Sequence, residues 1–200
     1  GSPFSARYGN AEKRSVPERS ARRNALLLQY TPVVTDLRGL NNAMFENVIK
    51  ATRTLRRAGF STIKLKLHPG PGRWKKAYFQ AIVDHWELDI EVLKTEPLSE
   101  CIAWADIVVG PIQSGSVYES LAGGKPYFAF LISPHGQDAD YFNGYPLLED
   151  AEMLPGALES WEWSAASELL DSMYDTASGM ENPRRFWAAL GEELAPSELR

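Results

Sequence analysis

Three stretches of this chain concentrate glycine, proline and hydroxyl side chains: Thr31-Pro32-Val33-Val34-Thr35-Asp36-Leu37-Arg38-Gly39, His68-Pro69-Gly70-Pro71-Gly72, and Gly110-Pro111-Ile112-Gln113-Ser114-Gly115-Ser116. Loops of this composition turn tightly and let the backbone approach a ligand where side chains are absent. In the second, His68 can donate one ring N–H to a phosphate oxygen while backbone holds the other nitrogen, with Arg73, Lys75 and Lys76 following. It can also simply cap the strand or turn. In the third, Ser114, Gly115 and Ser116 precede a helix whose N-terminal dipole favours an anion, and a diphosphate fits that description. Glu119, within about one turn of that helix start, carries a carboxylate able to accept both hydroxyls of a ribose. The plainer alternative is that the serines cap the helix and Glu119 complements its dipole. Thr31 of the first loop and Pro69 and Gly70 of the second complete the candidate set in these loops.

Loops of this kind need a rigid frame, and the hydrophobic pattern supplies one. Residues 25–30 form a short apolar run, and residues 41–57 place Phe45, Val48, Ile49, Thr52 and Leu55 on one helical face before Gly59. Residues 61–67 alternate Ile63, Leu65 and Leu67 with lysines, as a strand does, and 74–86 read as a helix. The pattern continues with strands over 89–93, 106–109 and 126–132, and with helices over 98–104 and from 116 to 121. Two amphipathic helices over 164–176 and 183–194 follow. Parallel neighbours require a crossover, so this alternation predicts an α/β fold, a single Rossmann-like domain whose parallel sheet carries helices on both faces. Ligands of such sheets lie beyond the carboxyl ends of the strands, where all three loops fall.

The domain is expected over residues 24–200, behind a basic arm over 1–23. That arm carries Arg7, Lys13, Arg14, Arg19, Arg22 and Arg23 against Glu12 and Glu18 and has almost no apolar periodicity, which predicts a flexible, solvated linker. Gly1-Ser2 reads as an expression scar, so missing upstream sequence is expected. Trp161 and Trp163, in a connection, are expected to pack against the sheet edge or to meet a second domain.

Net charge is −5, too negative for a general nucleic-acid binder, which needs cations to replace phosphate counterions. No apolar run is long enough to cross a bilayer. The single cysteine, Cys101, permits no internal disulfide, which suits a cytoplasmic setting. The first strand is not followed by Gly-x-Gly-x-x-Gly, nor is there a Gly-Lys-Ser/Thr loop, so neither a redox dinucleotide nor a nucleoside triphosphatase is expected. Three scattered histidines and one cysteine give no metal-ligand spacing, and no cofactor is expected.

The segment Ser116-Val117-Tyr118-Glu119-Ser120-Leu121-Ala122-Gly123-Gly124-Lys125-Pro126 resembles the nucleotide-binding segment of two-domain GT-B glycosyltransferases. There a Gly/Ser/Thr-rich loop leads to a helix bearing a ribose-binding glutamate, then Gly-Lys-Pro and a strand. Upstream, Ala105-Asp106-Ile107-Val108-Val109-Gly110 is similar to the strand that introduces this loop, and His68-Pro69 resembles the pair found in CMP-sugar-using sialyl- and Kdo-transferases. The similarity covers residues 24–148. It implies the nucleotide-sugar-binding, C-terminal half of a glycosyltransferase, moving a sugar from a UDP- or CMP-type donor to a saccharide or lipid-linked acceptor, as in polysaccharide biosynthesis. The donor would be held by Thr31, Pro69, Gly70, Ser114, Gly115, Ser116 and Glu119, and His68 would stabilise the departing phosphate without a metal. Two departures stand out. Consecutive glycines of some relatives are Ser114-Gly115 here, and their sugar-contacting Gln-Asn-Ala falls at His135-Gly136-Gln137-Asp138-Ala139-Asp140, from which Gln137 is carried over. The acceptor domain would be a missing N-terminal domain or partner subunit, and the chain alone would be inactive. The alternatives are a nucleotide-sugar epimerase or hydrolase, and a non-catalytic donor-binding subunit that needs a partner chain.

Overall fold

The computed structural model describes residues 12–17, 22–29, 37–68, 75–112, 114–130 and 144–173. Its strands are β1 (Asn24–Leu28), β2 (Thr62–Lys66), β3 (Glu91–Leu93), β4 (Ile107–Pro111), β5 (Tyr127–Phe130) and β6 (Leu147–Leu148). Its helices are α1 (Leu37–Arg57), α2 (Lys75–His85), α3 (Leu98–Trp104), α4 (Ser116–Ala122), α5 (Leu154–Glu159) and α6 (Trp163–Met173), with a 3-10 turn at Ala151–Met153. All strand pairs are parallel, in the order β3-β2-β1-β4-β5-β6.

Side chains alternate across a strand, and here the alternation sorts the core into two layers. Ala25, Leu27, Ile63, Leu65, Ile107, Val109, Phe128 and Phe130 face one side, under Val48, Ile49 and Leu55 of α1, Phe79 and Val83 of α2, and Leu154 and Leu158 of α5. Leu26, Val108, Tyr127 and Ala129 face the other, under Cys101 and Ile102 of α3, Val117 and Leu121 of α4, and Ala166, Leu169 and Leu170 of α6. Each fully buried aliphatic or aromatic side chain stabilises this arrangement by roughly 1.5–3 kcal/mol. Trp161 touches both layers and packs its ring 5.2 Å from Phe128 and 5.7 Å from Trp163, so the expected packing role is the one it fills.

Several expectations need correction. Helix α1 begins at Leu37, so Leu37, Arg38 and Gly39 belong to a helix and not to the loop after β1. As helices on both faces require, the lysines of β2 are covered too: Lys66 is 7% exposed, and Lys64 lies 4.5 Å from the Trp104 ring and pairs with Glu91 at 3.1 Å. Helix α3 covers that side, which an isolated alternating strand does not reveal. Strand β6 and helix α5 had no counterpart in the hydrophobic pattern, because two and six residues are too short to display a period. The expected helix over 183–194 lies outside the described residues.

The basic arm is also less detached than its composition indicates. Within residues 12–17, the Arg14 N–H donates to the Gly124 carbonyl at 3.0 Å, Trp163 Nε1 donates to the Arg14 carbonyl at 3.0 Å, and Lys13 Nζ donates to Ser167 Oγ at 2.7 Å. Arg23 is buried, with Nη1 on the Ala58 carbonyl at 2.7 Å and its guanidinium 3.9 Å from the Phe60 ring centre. Gly124 makes the close approach possible: its φ is +72°, and a Cβ there would stand 2.1 Å from the Glu12 carbonyl oxygen. Gly124→Ala should therefore lower the unfolding free energy by about 1–2 kcal/mol and loosen residues 12–17. A urea midpoint and a protease-cleavage rate within that stretch, both unchanged from wild type, would contradict this.

Candidate functional site

Strand order reverses between β1 and β4, and chains leaving such a pair diverge to opposite faces, opening a crevice at their carboxyl ends. A cavity of about 320 Å³ occupies that place. Leu28 and Gln29 enter it from the end of β1; Lys66, Leu67 and His68 from β2; Lys94, Thr95, Glu96, Pro97 and Leu98 from the turn after β3; and Ser114 and Ser116 from the start of α4. A larger groove of about 800 Å³ lies along the C-terminal half of α1 and Trp86, away from those ends. Its Lys50 is paired with Asp150 at 3.0 Å and its Arg56 with Asp89 at 2.7 Å, so much of its charge is already matched.

The polar groups of the cavity are held in place by the strand ends. Gln29 is buried; its N–H donates to the Lys66 carbonyl at 2.9 Å, and its Oε1 accepts the His68 N–H at 3.1 Å. This clamps the backbone where β2 gives way to the His68 turn. Lys66 Nζ donates to the carbonyls of Leu67 at 3.1 Å and Lys94 at 2.7 Å, which compensates for burying an ammonium and ties β2 to β3. Glu96 carries a carboxyl held below its ordinary range by backbone N–H groups, its own first and that of Lys94 after it, with the cations Lys76 and Lys66 adding to the effect; burial opposes them.

At the head of α4, Ser114 Oγ accepts from Ser116 Oγ at 2.6 Å and from the Ser116 N–H at 3.3 Å, while the Ser114 carbonyl accepts the Val117 N–H at 3.0 Å. The N-cap of α4 is Gly115 and no side chain caps the helix; Ser114, one residue earlier, takes up the Ser116 N–H from outside the cap. A hydroxyl that accepts twice still has its own hydrogen to donate, so this contact and ligand binding are compatible in the same group. Ser116 is buried and turns inward towards Tyr127, whose hydroxyl donates to the Pro111 carbonyl at 2.9 Å. Burial pushes the Tyr127 phenol well above its usual range, partly offset by its hydrogen bond with Ser116. Gly110 is required for this packing, since a Cβ on it would lie 2.6 Å from the Tyr127 hydroxyl oxygen.

Of the residues singled out in the sequence, the structure gathers His68, Ser114 and Ser116 around one cavity. Gly115 is exposed and Glu119 half-buried, both outside that lining. Thr31, Pro69, Gly70 and Gln137 lie outside the described residues. Lys125 of the Gly-Lys-Pro run is structural: it is buried, and Nζ donates to the carbonyls of Ala103 and Ala105 at the C-terminal end of α3. Burial holds its pKa down, with nearby Arg14 acting in the same direction. Sequence reasoning missed Gln29, Lys66 and Glu96. The first two lay in view, as the residue ending β1 and as a lysine two positions before His68; the turn carrying Glu96 has no glycine to mark it. Among the described residues no cluster of His, Cys, Asp and Glu could hold a metal ion, and no helix is long and apolar enough to cross a membrane.

No protein-family model and no curated protein matches the chain. Solved structures do. The chain matches the crystal structure of accessory secretory proteins 1, 2 and 3 of Streptococcus pneumoniae with a TM-score of 0.51 at 12% identity, covering 92% of this chain and 36% of that one. It matches an alpha,alpha-trehalose-phosphate synthase (UDP-forming) from Burkholderia vietnamiensis with a TM-score of 0.50 at 10% identity, covering 98% of this chain and 50% of that one. The pneumococcal O-GlcNAc transferase GtfA aligns over 91% of this chain and 38% of its own, at 14% identity and a TM-score of 0.48. The chain thus spans between about a third and a half of the length of these structures. Identities this low speak for architecture alone: in fold, the chain is a single Rossmann-like domain that matches one half of the two-domain GT-B fold.

Proposed function

We propose that this chain binds a nucleotide-sugar at the crevice between β1 and β4 and serves as the donor-binding half of a glycosyltransferase. The observation that carries this reading is the cavity itself. At the point where strand order reverses, one space is lined by a clamped histidine turn, a buried lysine and a serine-headed helix. Its volume of about 320 Å³ lies at the small end of ligand pockets, enough for one nucleotide moiety and not for donor and acceptor together. The sugar would then project towards a second wall supplied by an acceptor domain or partner subunit. Gly115 and Glu119 enter this reading only as contacts for parts of the ligand extending beyond the cavity.

In such a site the chain's contribution to the reaction is electrostatic. As the bond from sugar to phosphate breaks, negative charge gathers on the departing phosphate oxygen. Donors already fixed there interact more strongly with that charge than with the intact ester, which lowers the barrier. Lys66, anchored by two carbonyls, and the Ser114 hydroxyl, fixed by two accepted hydrogen bonds, are preorganised in this sense; His68 supplies a ring N–H beside them. The group that activates the acceptor would come from the other wall. Turnover needs both walls, because proximity of donor and acceptor contributes much of the rate.

Thermal unfolding of the chain against a panel of nucleoside mono- and diphosphates tests the binding claim. A ligand at a hundred times its Kd should stabilise the chain by about 2.7 kcal/mol. A flat response across the panel would sink the proposal, and so would transfer to an added acceptor by this chain alone at roughly 1–1000 per second. Ser114→Ala separates the two duties of that side chain. Loss of the hydrogen bonds it accepts from Ser116 should cost about 0.5–1.5 kcal/mol of stability, and loss of the donor should weaken nucleotide binding about tenfold. A stability loss with unchanged affinity would leave Ser114 a structural role and nothing more.

A further inference from the structure

The Gln29 side chain has one arm of its carboxamide engaged by the fold and one that the fold does not use. The residue is 8% exposed, and its Oε1 accepts the His68 N–H at 3.1 Å. A backbone N–H can only donate, so the oxygen is the arm that meets it and the nitrogen takes the other direction. Nε2 thus carries two hydrogens, and among the described residues no acceptor meets them. Nor is it one of the partnerless side-chain atoms sealed from solvent, so it keeps surface in a residue that lines the cavity. Turning the amide over would set Nε2 against the His68 N–H, donor against donor, so the unused arm stays a donor. Any ligand that displaces solvent from such a group has to bring an acceptor of its own.

What stands on either side of Gln29 indicates which acceptor. In the sheet, β1 lies between β2 and β4, so the residue that ends β1 stands between Lys66 of β2 and Ser114 beyond β4. Lys66 Nζ gives two hydrogens to carbonyls and has a third, and the Ser114 hydroxyl keeps its own. Glu96, the acidic residue among the described lining, follows β3, on the far side of β2. We infer that Gln29 holds the phosphate of the bound nucleotide, its Nε2 donating to an anionic oxygen between the Lys66 ammonium and the Ser114 hydroxyl. This rests on the reading of the cavity as a nucleotide site. A phosphate brings several acceptor oxygens and a charge that answers the ammonium. A base carbonyl brings two lone pairs and no charge, and a ribose hydroxyl must also place a hydrogen of its own among donors.

NMR titration of the chain with ADP, CDP, GDP and UDP, and with the four parent nucleosides, reads this, since it measures weak affinities as well as strong ones. Gln29→Glu keeps an acceptor for the His68 N–H but turns the donor arm into a second acceptor. The diphosphate that wild type binds most tightly should lose affinity at least about tenfold, the scale of a hydrogen bond to a charged group, while its parent nucleoside binds as before. Gln29→Met, uncharged and of similar volume, should show the same selective loss, which separates a missing hydrogen bond from the repulsion of an added charge; it also carries the comparison if Gln29→Glu does not fold. A diphosphate-to-nucleoside affinity ratio that Gln29→Met leaves unmoved overturns the inference: Gln29 then only shapes the cavity, or meets the base or the ribose. If no nucleotide binds the wild-type chain, the cavity reading itself fails; an unmoved ratio with intact binding removes only the role given to Gln29.

Discussion

A parallel sheet cannot leave a face in water, because each crossover lays a helix on it and its strands are apolar on both sides. Nearly everything else in this chain follows from that requirement. With Leu26 and Val108 turned one way and Ala25, Leu27, Ile107 and Val109 the other, β1 and β4 are buried from both directions and occupy the middle of the sheet. Helices α1, α2 and α5 seal one face, and α3, α4 and α6 the other. The strand order reverses once in doing this, between β1 and β4, and the reversal opens the space between their ends. The cavity is thus a by-product of covering the sheet, furnished afterwards with polar groups.

Those groups share a manner of being held. Lys66 is gripped by carbonyls of two strand ends, the His68 N–H by the Gln29 side chain, and the Ser114 hydroxyl by the first residue of α4. Each of these bonds comes from a residue at or next to the end of a regular element. A ligand entering this space therefore meets charges and dipoles whose orientation was settled when the protein folded, so little ordering remains to be done on binding.

The architecture was legible in the sequence because it rests on periodicity. Alternating apolar residues in β2 and the helical stripe of α1 each point to one kind of element, and short connections make the strands parallel. What escaped was whatever depends on a neighbour distant in sequence. Lys66 looks like the solvent side of a half-exposed strand until α3 is laid over it, and Lys125 looks like part of a binding run until its Nζ is found on the end of the same helix. At the site, the loops rich in glycine and serine advertised themselves through His68, Ser114 and Ser116. The turn carrying Glu96 did not, since a single carboxylate between Thr95 and Pro97 is ordinary in sequence.

The bond from the Arg14 N–H to the Gly124 carbonyl places residues 12–17 against the turn that leads into β5, at the amino ends of the strands. The cavity opens at the other end. Any chain preceding this segment is thereby moored to the rear of the domain, like a door hung on the side away from its latch. The segment and the cavity therefore lie at opposite ends of the strands, and the contacts of Arg14 with Gly124 and Trp163 share no residue with the lining of the site.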